Sequence, residues 1–518
     1  MHGKRFLAAL RFFLACLLLL WAAGCAGHWF TGETPAPVPV TILFFNDLHG
    51  HLQPFEIKSG EGRQEEAGGI ARMASLVRQI REENSRKNVR TLVLVAGDIL
   101  QGTPMSTVFR GEPDVECLNA MGVDALAVGN HEFDFGLDNF HRLQTLAAFP
   151  FLSANIVDRA SGRPLCLSSR TLSLADDLAV TIIGVTTEDL LTTTMPANVA
   201  SLDVRDAVLS VGEVYGRVHS RGPVILLSHA GYKVDGTIAM ALPGLTAIVG
   251  GHDHVLISPY QQVGSVPIFQ ALEKGRYLGR VDLMIDPVSG RAVVADHAYL
   301  PITDRVASDP QVAAIVAAWQ GQLGDRFKQV IGRAEVFLDG ERGRIRYEET
   351  ALGNWVTDVV REHTGAQIAL INAGAMRTSI RPGPVTVEDV FKTMPFANEL
   401  VLMDLTGAEI GEVLRRAVRS SRGDNDGGFL QVSGLTFEVR DHAVENVRVG
   451  PERQPLQSGA LYRVAVTDFM ATGGDSYTLL KGKPHIQTGL PLRELIVDTI
   501  RRRGVINARE EGRILRRE

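Results

Sequence analysis

The first part of the chain alternates short apolar runs with stretches that carry apolar residues at helical spacing. The apolar runs are rich in Val, Ile and Leu and are continuous, a pattern typical of strands buried on both faces. Helical spacing is clearest in residues 69–83 and 204–220. This alternation predicts an α/β domain. The six apolar runs are residues 41–45, 91–96, 125–128, 180–185, 224–227 and 247–249.

Three segments follow one another along the body of the chain. Residues 40–308 carry the alternating pattern, and residues 309–329 combine helical spacing with few helix breakers, which predicts a linker helix. Residues 330–518 mix strand-like and helix-like segments, for example a helical pattern over 407–420. We therefore expect two domains joined by a helix. No internal repeat or low-complexity segment is visible.

The composition indicates a folded, multidomain protein. The 518 residues are too many for one ordinary domain, and 45% hydrophobic with 22% charged residues is usual for globular proteins. This composition excludes a mainly disordered chain, a collagen-like chain and a membrane protein of many helices. A formal net charge of −6 provides no basic footprint for a nucleic-acid polymer.

The first residues have the features of a bacterial export signal. A basic start precedes an apolar run over residues 12–24, which is shorter than the ~20 residues of a membrane-spanning helix. The small residues before Cys25 resemble a lipobox, in which the cysteine carries the lipid. We expect residues 1–24 to be a lipoprotein-type signal peptide and residues 25–39 to be a tether. The alternative is a cleaved signal followed by a free protein.

Both alternatives place the body in the bacterial cell envelope, periplasmic or anchored, with membrane contact only through a lipid on Cys25. Four cysteines are too few for a disulfide scaffold at this length. If Cys16 leaves with the signal and Cys25 is lipidated, Cys117 and Cys166 remain. These two either pair or stay as reduced thiols, and the sequence leaves that open.

Polar residues that can bind metal ions follow five of the six apolar runs. Where such runs are strands of an α/β sheet, ligands bind beyond their carboxyl ends, so all five clusters can meet at one site. Glycines recur in them because the backbone must turn sharply there. The clusters are Asn46-Asp47-Leu48-His49-Gly50, Gly97-Asp98, Gly129-Asn130-His131-Glu132, Ser228-His229-Ala230-Gly231 and Gly250-Gly251-His252-Asp253-His254.

The side-chain types in these clusters are typical of a catalytic metal site. Asp and Asn oxygens with His nitrogens, and no thiolate, suit catalytic divalent ions rather than a structural zinc site. The set contains more ligands than one ion can use. Two ions about 3.5–4 Å apart with a shared carboxylate serve in-line displacement at phosphorus. A lone Asp or His after a strand is more often structural, but five such clusters in order are hard to explain by coincidence.

The motifs Gly129-Asn130-His131-Glu132 and Gly250-Gly251-His252-Asp253-His254 resemble those of the metallophosphoesterases. Within that group, the sequence is most similar to the bacterial and ecto-5′-nucleotidase family, which includes UDP-sugar hydrolases. The resemblance extends from about residue 40 to the end, because the second domain also carries family motifs. It implies an N-terminal metallophosphoesterase β-sandwich flanked by helices, a linker helix and a smaller α+β C-terminal domain. It also implies two divalent metal ions, with zinc or manganese expected.

Carried over residue by residue, the resemblance assigns roles in the first domain. It implies a catalytic pair in which His131 stabilises charge on the phosphoryl oxygens and Asp134 fixes the imidazole tautomer. The alternative for Asp134 is a carboxylate that accepts backbone N–H groups at a helix start. Water activated by the ions would attack phosphorus in line, without a covalent enzyme intermediate. The implied ligands are Asp47, His49 and His254 for one ion, Asn130, His229 and His252 for the other, and Asp98 as the bridge.

The second domain carries segments that bind the substrate in this family. The resemblance implies that three arginines clamp a phosphate group, that two phenylalanines sandwich a nucleobase and that an aspartate accepts hydrogen bonds from ribose hydroxyls. Each has a plainer alternative, since arginines are common at surfaces and phenylalanines in cores. The implied substrate-binding residues are Arg342, Arg346, Asn372, Arg377, Phe396, Asn398, Phe469 and Asp475.

The leading interpretation is an exported hydrolase that releases phosphate from nucleoside 5′-monophosphates, with nucleoside diphosphates and UDP-sugars as further candidate substrates. The alternative enzyme is a 2′,3′-cyclic-nucleotide 2′-phosphodiesterase/3′-nucleotidase, or the related thiosulfohydrolase, on a similar frame. A nucleotide-binding surface lipoprotein without catalysis is an alternative of another class. Such a protein would have lost ligands, whereas every implied ligand is present. The sequence sets neither the native metal, nor the preferred nucleotide, nor the oligomeric state.

Overall fold

The computed structural model describes residues 36–58, 64–175, 178–289, 291–424 and 426–517. The predicted signal peptide, Cys25 and most of the predicted tether lie outside these residues. Within the described part of the chain, no helix has both the length and the apolar character needed to cross a membrane. Cys117 and Cys166 are free thiols; the first is buried and the second is partly exposed.

The first domain is built from sixteen strands and seven helices among the described residues. The strands are β1 (Val38–Phe45), β2 (Phe55–Lys58), β3 (Gln64–Ala67), β4 (Arg90–Val95), β5 (Ala125–Ala127), β6 (Phe151–Leu152), β7 (Ile156–Asp158), β8 (Ser169–Ala175), β9 (Leu178–Thr186), β10 (Leu202–Val204), β11 (Val224–His229), β12 (Ala247–Val249), β13 (Gln261–Val263), β14 (Val266–Phe269), β15 (Tyr277–Ile285) and β16 (Ala292–Pro301). The helices are α1 (Ile70–Ser85), α2 (Pro104–Val108), α3 (Glu112–Met121), α4 (Gly136–Leu146), α5 (Leu190–Thr193), α6 (Ala207–Val218) and α7 (Tyr232–Ala241).

Two six-stranded sheets form the frame of this domain. Their strand orders are β16-β15-β1-β4-β5-β6 and β13-β14-β12-β11-β9-β8. Parallel pairs join β1, β4, β5 and β6 in one sheet and β9, β11, β12 and β14 in the other. The six apolar runs of the sequence are all strands of these parallel sets. Their carboxyl ends therefore point the same way within each sheet.

The sheets pack face to face over a common apolar core. Phe44 of β1, Leu227 of β11 and Phe269 of β14 are fully buried members of one cluster that spans both sheets. Helices cover the outer faces, as α1 does by burying residues at helical spacing such as Ile70, Met73 and Val77. Burial of each such side chain contributes about 1.5–3 kcal/mol, so the sandwich is a rigid support for the loops at its end.

The second domain is smaller and mixes strands with helices around a five-stranded sheet of order β21-β18-β25-β20-β26. Its strands are β17 (Val330–Ala334), β18 (Ile368–Asn372), β19 (Gly383–Thr386), β20 (Glu399–Thr406), β21 (Leu430–Ser433), β22 (Leu435–Arg440), β23 (Ala443–Val449), β24 (Gln454–Pro455), β25 (Leu461–Thr467), β26 (His485–Pro491), β27 (Val505–Ile506) and β28 (Ile514–Arg516). The helices from the linker onwards are α8 (Pro310–Leu323), α9 (Arg342–Ile345), α10 (Ala351–Thr364), α11 (Val387–Thr393), α12 (Gly407–Ala417), α13 (Asp468–Ala471) and α14 (Leu492–Arg503).

Helix α8 lies within the segment predicted as a linker. It begins with Pro310, and the Asp309 carboxylate accepts hydrogen bonds from the backbone N–H groups of Gln311 and Val312 at 2.9 and 3.1 Å. Its Trp319 packs against the first domain, where the indole N–H donates to the Glu116 carboxylate at 2.7 Å. The fold class predicted from the sequence, a two-sheet sandwich with helices followed by a smaller α+β domain, is confirmed.

Candidate metal centre and substrate cavity

The five predicted metal-binding clusters meet at one end of the sandwich. Three follow β1, β4 and β5 of the first sheet, and two follow β11 and β12 of the second. Two facing sheets, rather than one open sheet, therefore bring the clusters together. Glycine is required where they crowd, because a Cβ on Gly97, whose φ is +79°, would lie 2.4 Å from Nδ1 of His229.

The backbone at most predicted ligands is held in a sparsely populated conformation. Five of the seven have φ between 47° and 81°, the left-handed region that costs a residue with a Cβ about 1–2 kcal/mol. Such conformations persist only where the surrounding contacts enforce them, and they cluster at functional sites. The five residues are Asp47, His49, Asp98, His252 and His254.

Two groups of ligand atoms lie side by side in this end of the domain. Asp47, His49 and His254 place one ligand atom each within 4.8 Å of one another, with 2.9 Å between the two Nε2 atoms and 3.3 Å from His254 Nε2 to Asp47 Oδ1. Asp98, His229 and His252 form a second group within the same distance limit. A third group of the same kind joins His49, Asp98 and His131, so the groups overlap at His49 and Asp98.

Asp98 lies between the two groups. Its Oδ2 is 3.1 Å from Nε2 of His229 and 4.0 Å from Nε2 of His49. In addition, the buried Oδ1 of Asn130 has no hydrogen-bond partner among the described residues. A buried amide oxygen without a donor is costly, and a cation would satisfy it. The oxygen and nitrogen donors, the central carboxylate and this oxygen together fit divalent metal ions.

The far nitrogens of the histidines are held by other parts of the first domain. Nδ1 of His229 lies 2.7 Å from the carbonyl oxygen of Ala96, to which it can only donate. Nδ1 of His254 contacts the carboxylate of Glu273. These contacts fix ring orientation and leave Nε2 free to bind a metal, which is the usual outer support of histidine ligands. Glu273 was not identified from the sequence, because it follows β14 with no cluster around it.

Glu132 is a second supporting residue that sequence reasoning did not single out. Its buried carboxylate accepts three backbone hydrogen bonds, from Asp98 at 3.0 Å, Ile99 at 2.9 Å and Gly129 at 2.6 Å. Burial, together with the charge of Asp98, raises the pKa of Glu132 to about 7. The residue thus ties the loop after β4 to the loop after β5 and sets the position of Asp98.

The two residues predicted as a catalytic pair are in contact. Nδ1 of His131 lies 2.6 Å from Oδ2 of Asp134, and the other oxygen of Asp134 accepts a hydrogen bond from the Thr194 hydroxyl at 2.8 Å. Burial disfavours the imidazolium, but the carboxylates of Asp134 and Asp98 outweigh it and raise the pKa of His131 above its usual value. The Nε2 atom is left to face the metal ligands, 3.9 Å from Asp98 Oδ2.

A cavity of about 680 Å³ between the domains, here called the substrate cavity, unites the predicted residues. Asp47, His49 and His229 are buried and do not line it. The other fourteen line its wall: Asp98, Asn130, His131, Asp134, His252, His254, Arg342, Arg346, Asn372, Arg377, Phe396, Asn398, Phe469 and Asp475. The cavity size is that of a small-molecule site.

Three arginines of the second domain crowd together in the cavity wall. Burial and the neighbouring charge of Arg377 lower the pKa of Arg342. Burial and the charges of Arg342 and Arg377 lower the pKa of Arg346 further. Mutual repulsion of guanidinium groups is relieved by an anion, so this cluster is suited to a phosphate group.

The predicted base- and ribose-binding residues lie on short helices and loops of the second domain. Asp475, at φ 49°, accepts a hydrogen bond from Nδ2 of Asn372 at 2.7 Å, and burial raises its pKa to about 6. Position 474 must be glycine, because a Cβ at that position would lie 2.5 Å from the ring of Phe469. Asn398 is buried, and its Nδ2 donates to Asp468 at 3.3 Å.

Arg416 is a cavity residue that the sequence did not reveal. Its guanidinium forms a two-pronged ion pair with Asp426 at 2.8 and 3.0 Å, and its Nε donates to the backbone oxygen of Asp475 at 2.6 Å. Arg416 lies on α12, and from the sequence alone it is indistinguishable from a solvent-exposed charge on a helix. Only the folded chain shows that it supports the Asp475 turn.

Comparison with known proteins agrees with this geometry. Residues 40–256 match the calcineurin-like phosphoesterase family, and residues 330–482 match the 5′-nucleotidase C-terminal domain. The chain is 30% identical to the protein UshA of Escherichia coli K12, over 87% of this chain and 88% of that protein. It is 27% identical to a 5′-nucleotidase of Vibrio parahaemolyticus, over 96% and 95% of the two chains. The crystal structure of a 5′-nucleotidase precursor from Thermus thermophilus superimposes with a TM-score of 0.85 at 32% identity, covering 92% of this chain and 99% of that one.

Proposed function

Because the chain belongs to the 5′-nucleotidase family of calcineurin-like phosphoesterases and is a metal-dependent phosphoric ester hydrolase, we propose that it releases phosphate from nucleoside 5′-monophosphates. Nucleoside diphosphates and UDP-sugars are further candidate substrates. The observation that carries the proposal is the substrate cavity, whose wall holds metal-binding histidines and carboxylates, clustered arginines and two phenylalanines. A plain phosphatase would need only the first of these.

We assign two divalent ions, zinc or manganese, to the two ligand groups. Asp47, His49 and His254 would hold one, and Asn130, His229 and His252 the other, with Asp98 shared. When bound, the ions lower the pKa of water and neutralise the phosphoryl oxygens during in-line attack. The protein contributes the fixed positions of these ligands, since Glu132, Glu273 and the backbone oxygens hold them in place.

His131 is the proposed hydrogen-bond donor to the reacting phosphoryl group. Asp134 accepts from Nδ1, so the proton on Nε2 faces the cavity and the imidazolium form is favoured. Charge that develops on a phosphoryl oxygen in the transition state is then met by a fixed donor. The Thr194 hydroxyl donates to the second oxygen of Asp134 and so fixes the orientation of this carboxylate towards His131.

The second domain supplies the proposed substrate specificity. Arg342, Arg346 and Arg377 would hold the phosphate group, because their charges repel one another in the absence of an anion. Phe396 and Phe469 would stack on the nucleobase, and Asp475 would accept hydrogen bonds from the ribose hydroxyls. Asn372 fixes the Asp475 carboxylate, and Asn398 fixes the turn that carries Phe396 through its bond to Asp468.

The test is a substrate panel for the soluble body, residues 26–518, loaded with zinc or manganese. AMP, UDP-glucose, 2′,3′-cyclic AMP and p-nitrophenyl phosphate are compared by kcat/KM from phosphate release, with added phosphatase where a nucleotide is the product. We expect AMP to be preferred over the aryl phosphate by about tenfold or more, because base stacking contributes about 1–3 kcal/mol. Preference for the cyclic diester would place the protein in the alternative enzyme class, and no turnover of any substrate would contradict hydrolysis.

Export and lipid anchoring form a second part of the proposal. They rest on the basic start, the apolar run and the small residues before Cys25, which lie outside the described residues. The test is palmitate labelling of bacteria that express the full chain, with Cys25→Ala as the variant. Label on the wild type alone supports anchoring, whereas an unlabelled wild type in the periplasmic fraction supports a cleaved signal.

A further inference from the structure

A second cavity, of about 790 Å³, also reaches the predicted metal centre. His49 and His254 form part of its wall, and it shares His254, Gln101, Arg342, Arg346 and Arg377 with the substrate cavity. It extends away from Phe396 and Phe469, neither of which lines it. Exposed residues such as Glu56 are also in its wall, so it opens to solvent. Predicted metal ligands therefore line two cavities that open to solvent.

The wall of this second cavity is basic. Seven lysine and arginine side chains and four acidic side chains line it. Three of the acids are engaged with neighbours: Glu56 binds Arg381 at 3.0 Å, Glu273 contacts His254 and lies 3.4 Å from Lys274, and Asp389 caps α11. Lys392 is paired with Glu388, outside the cavity wall, at 2.7 Å. Lys274, Arg276, Arg381 and Lys392 are the basic residues that the substrate cavity does not share, and we call the second cavity the basic chamber.

Two of the chamber's arginines carry a donor that the protein does not satisfy. Nε of Arg276 and Nε of Arg342 are buried, and neither has a hydrogen-bond partner among the described residues. Arg276 comes from the first domain and Arg342 from the second. Buried guanidinium donors without acceptors are costly, and a multivalent oxyanion supplies acceptors in the matching geometry. The chamber thus selects for an anion rather than for a neutral nucleoside.

We propose that the basic chamber binds inorganic phosphate and serves as the route by which this product leaves the metal centre. This inference rests on the proposed function, which generates phosphate at the junction of the two cavities. The nucleoside leaves through the substrate cavity, whose phenylalanines and ribose-binding carboxylate suit it. Separate routes let the anion depart along a line of positive charge without passing the base-binding side chains.

The test compares two double variants of the zinc-loaded soluble body, residues 26–518. Arg276→Gln with Lys392→Gln removes two chamber charges that contact no predicted metal ligand. Lys87→Gln with Arg305→Gln, at exposed positions outside both cavities, is the matched control for charge loss. Equilibrium dialysis with radiolabelled phosphate measures binding, and product inhibition of AMP hydrolysis by phosphate and by adenosine measures function. Thermal melting of all proteins verifies that they are folded.

The wild type and the control are expected to bind phosphate at the metal centre and at a second, weaker site. In the chamber variant the second site should weaken roughly tenfold, and inhibition by phosphate should weaken while inhibition by adenosine stays the same. One class of phosphate site in the wild type, or unchanged binding in the folded chamber variant, would overturn the proposal. The dialysis does not require nucleotide turnover, so failure of the proposed function is seen separately.

The anion bound in the basic chamber could also be a second phosphoryl group of the substrate rather than free phosphate. ADP and AMP are therefore compared in the chamber variant. The exit route predicts that KM for both nucleotides stays near the wild-type value. A rise in KM for ADP alone, with phosphate binding unchanged, would show that the chamber holds substrate instead and would overturn the exit assignment.

Discussion

The imidazole of His131 and the ring of Phe396 are stacked across the boundary between the two domains, with centroids 5.7 Å apart and 24° between the planes. Arg377 lies on the same phenylalanine, with its Cζ 5.8 Å from the ring centroid. The proposed phosphoryl-binding and base-binding groups are therefore in direct contact. A change in the base-binding side chain is expected to reach the chemistry, and the predictions below separate the two effects.

Phe396→Ala is expected to lower kcat/KM for AMP by about tenfold to a hundredfold, because stacking on a base contributes about 1–3 kcal/mol. Hydrolysis of p-nitrophenyl phosphate, which offers no nucleobase, should change much less. Steady-state kinetics with both substrates measure the difference. An equal loss for both would mean that Phe396 acts only by packing against His131, and the base-binding role would be wrong.

Asp134→Asn is expected to lower kcat for AMP and for the aryl phosphate alike, by about 100-fold or more, with little effect on KM. The amide neither stabilises the imidazolium nor enforces the tautomer that presents a proton on Nε2. Thr194→Val removes only the hydrogen bond to the second carboxylate oxygen of Asp134. This variant should lower kcat by less than about tenfold. Full activity of Asp134→Asn would contradict the catalytic pair.

The affinity for nucleotide should depend on pH through Asp475. Burial raises its pKa to about 6, so the carboxylate that accepts ribose hydrogen bonds is present above that pH and is lost below it. KM for AMP is thus expected to rise as the pH falls from 7 to 5. The aryl phosphate has no ribose to bind Asp475, so its KM should change with pH only through groups at the metal centre. Asp475→Asn should raise KM at pH 7 and remove the AMP-specific rise. A rise of the same size in the variant would assign it to another group.

Stability should depend on pH through Asp114, a carboxyl of α3 outside both cavities. Burial, with a contribution from the charge of Glu132, raises its pKa from 3.8 to about 8. The folded state therefore holds this proton more tightly than the unfolded state, and the wild type loses stability as the pH rises from about 4 to 8. Asp114→Asn cannot ionise and is spared that loss.

Urea unfolding at pH 5 and pH 8.5 measures this difference. The free energy of unfolding of Asp114→Asn relative to the wild type should increase towards the higher pH, by at most about 4 kcal/mol, since about three pH units separate pH 5 from the raised pKa and each corresponds to about 1.4 kcal/mol. An exposed aspartate, changed in Asp304→Asn, provides the control and should show no such trend. A constant difference between the two pH values would contradict the neutral buried carboxyl.

The fold and the convergence of the predicted metal-binding clusters were predictable because they depend on local patterns. A buried parallel strand has a continuous apolar run, and a chain reversal at its end needs glycine and tolerates Asp or His. Runs such as residues 41–45 and 224–227 thus located both the strands and the clusters after them. Strand β15, which lies between β16 and β1, is harder to recognise, because its alternating burial matches no continuous run.

The residues that escaped prediction act through contacts that no local pattern records. Glu132 stands inside a recognised motif, but only folding shows that its carboxylate binds three backbone N–H groups from two loops. Glu273 and Arg416 lie far along the chain from His254 and Asp475, which they support. Their side chains look like ordinary surface charges in the sequence. The basic chamber likewise exists only because two domains face each other.

The most direct test of a shared-carboxylate metal centre that hydrolyses nucleotides is the metal content and AMP turnover of Asp98→Ala beside the wild type and the exposed control Asp304→Ala. Plasma mass spectrometry and phosphate release are measured on the same folded samples. We expect about two ions per chain in the wild type and the control, and loss of both ion pairing and turnover in Asp98→Ala by about 1000-fold or more. Wild-type turnover in Asp98→Ala, or in metal-stripped wild type, would contradict the account.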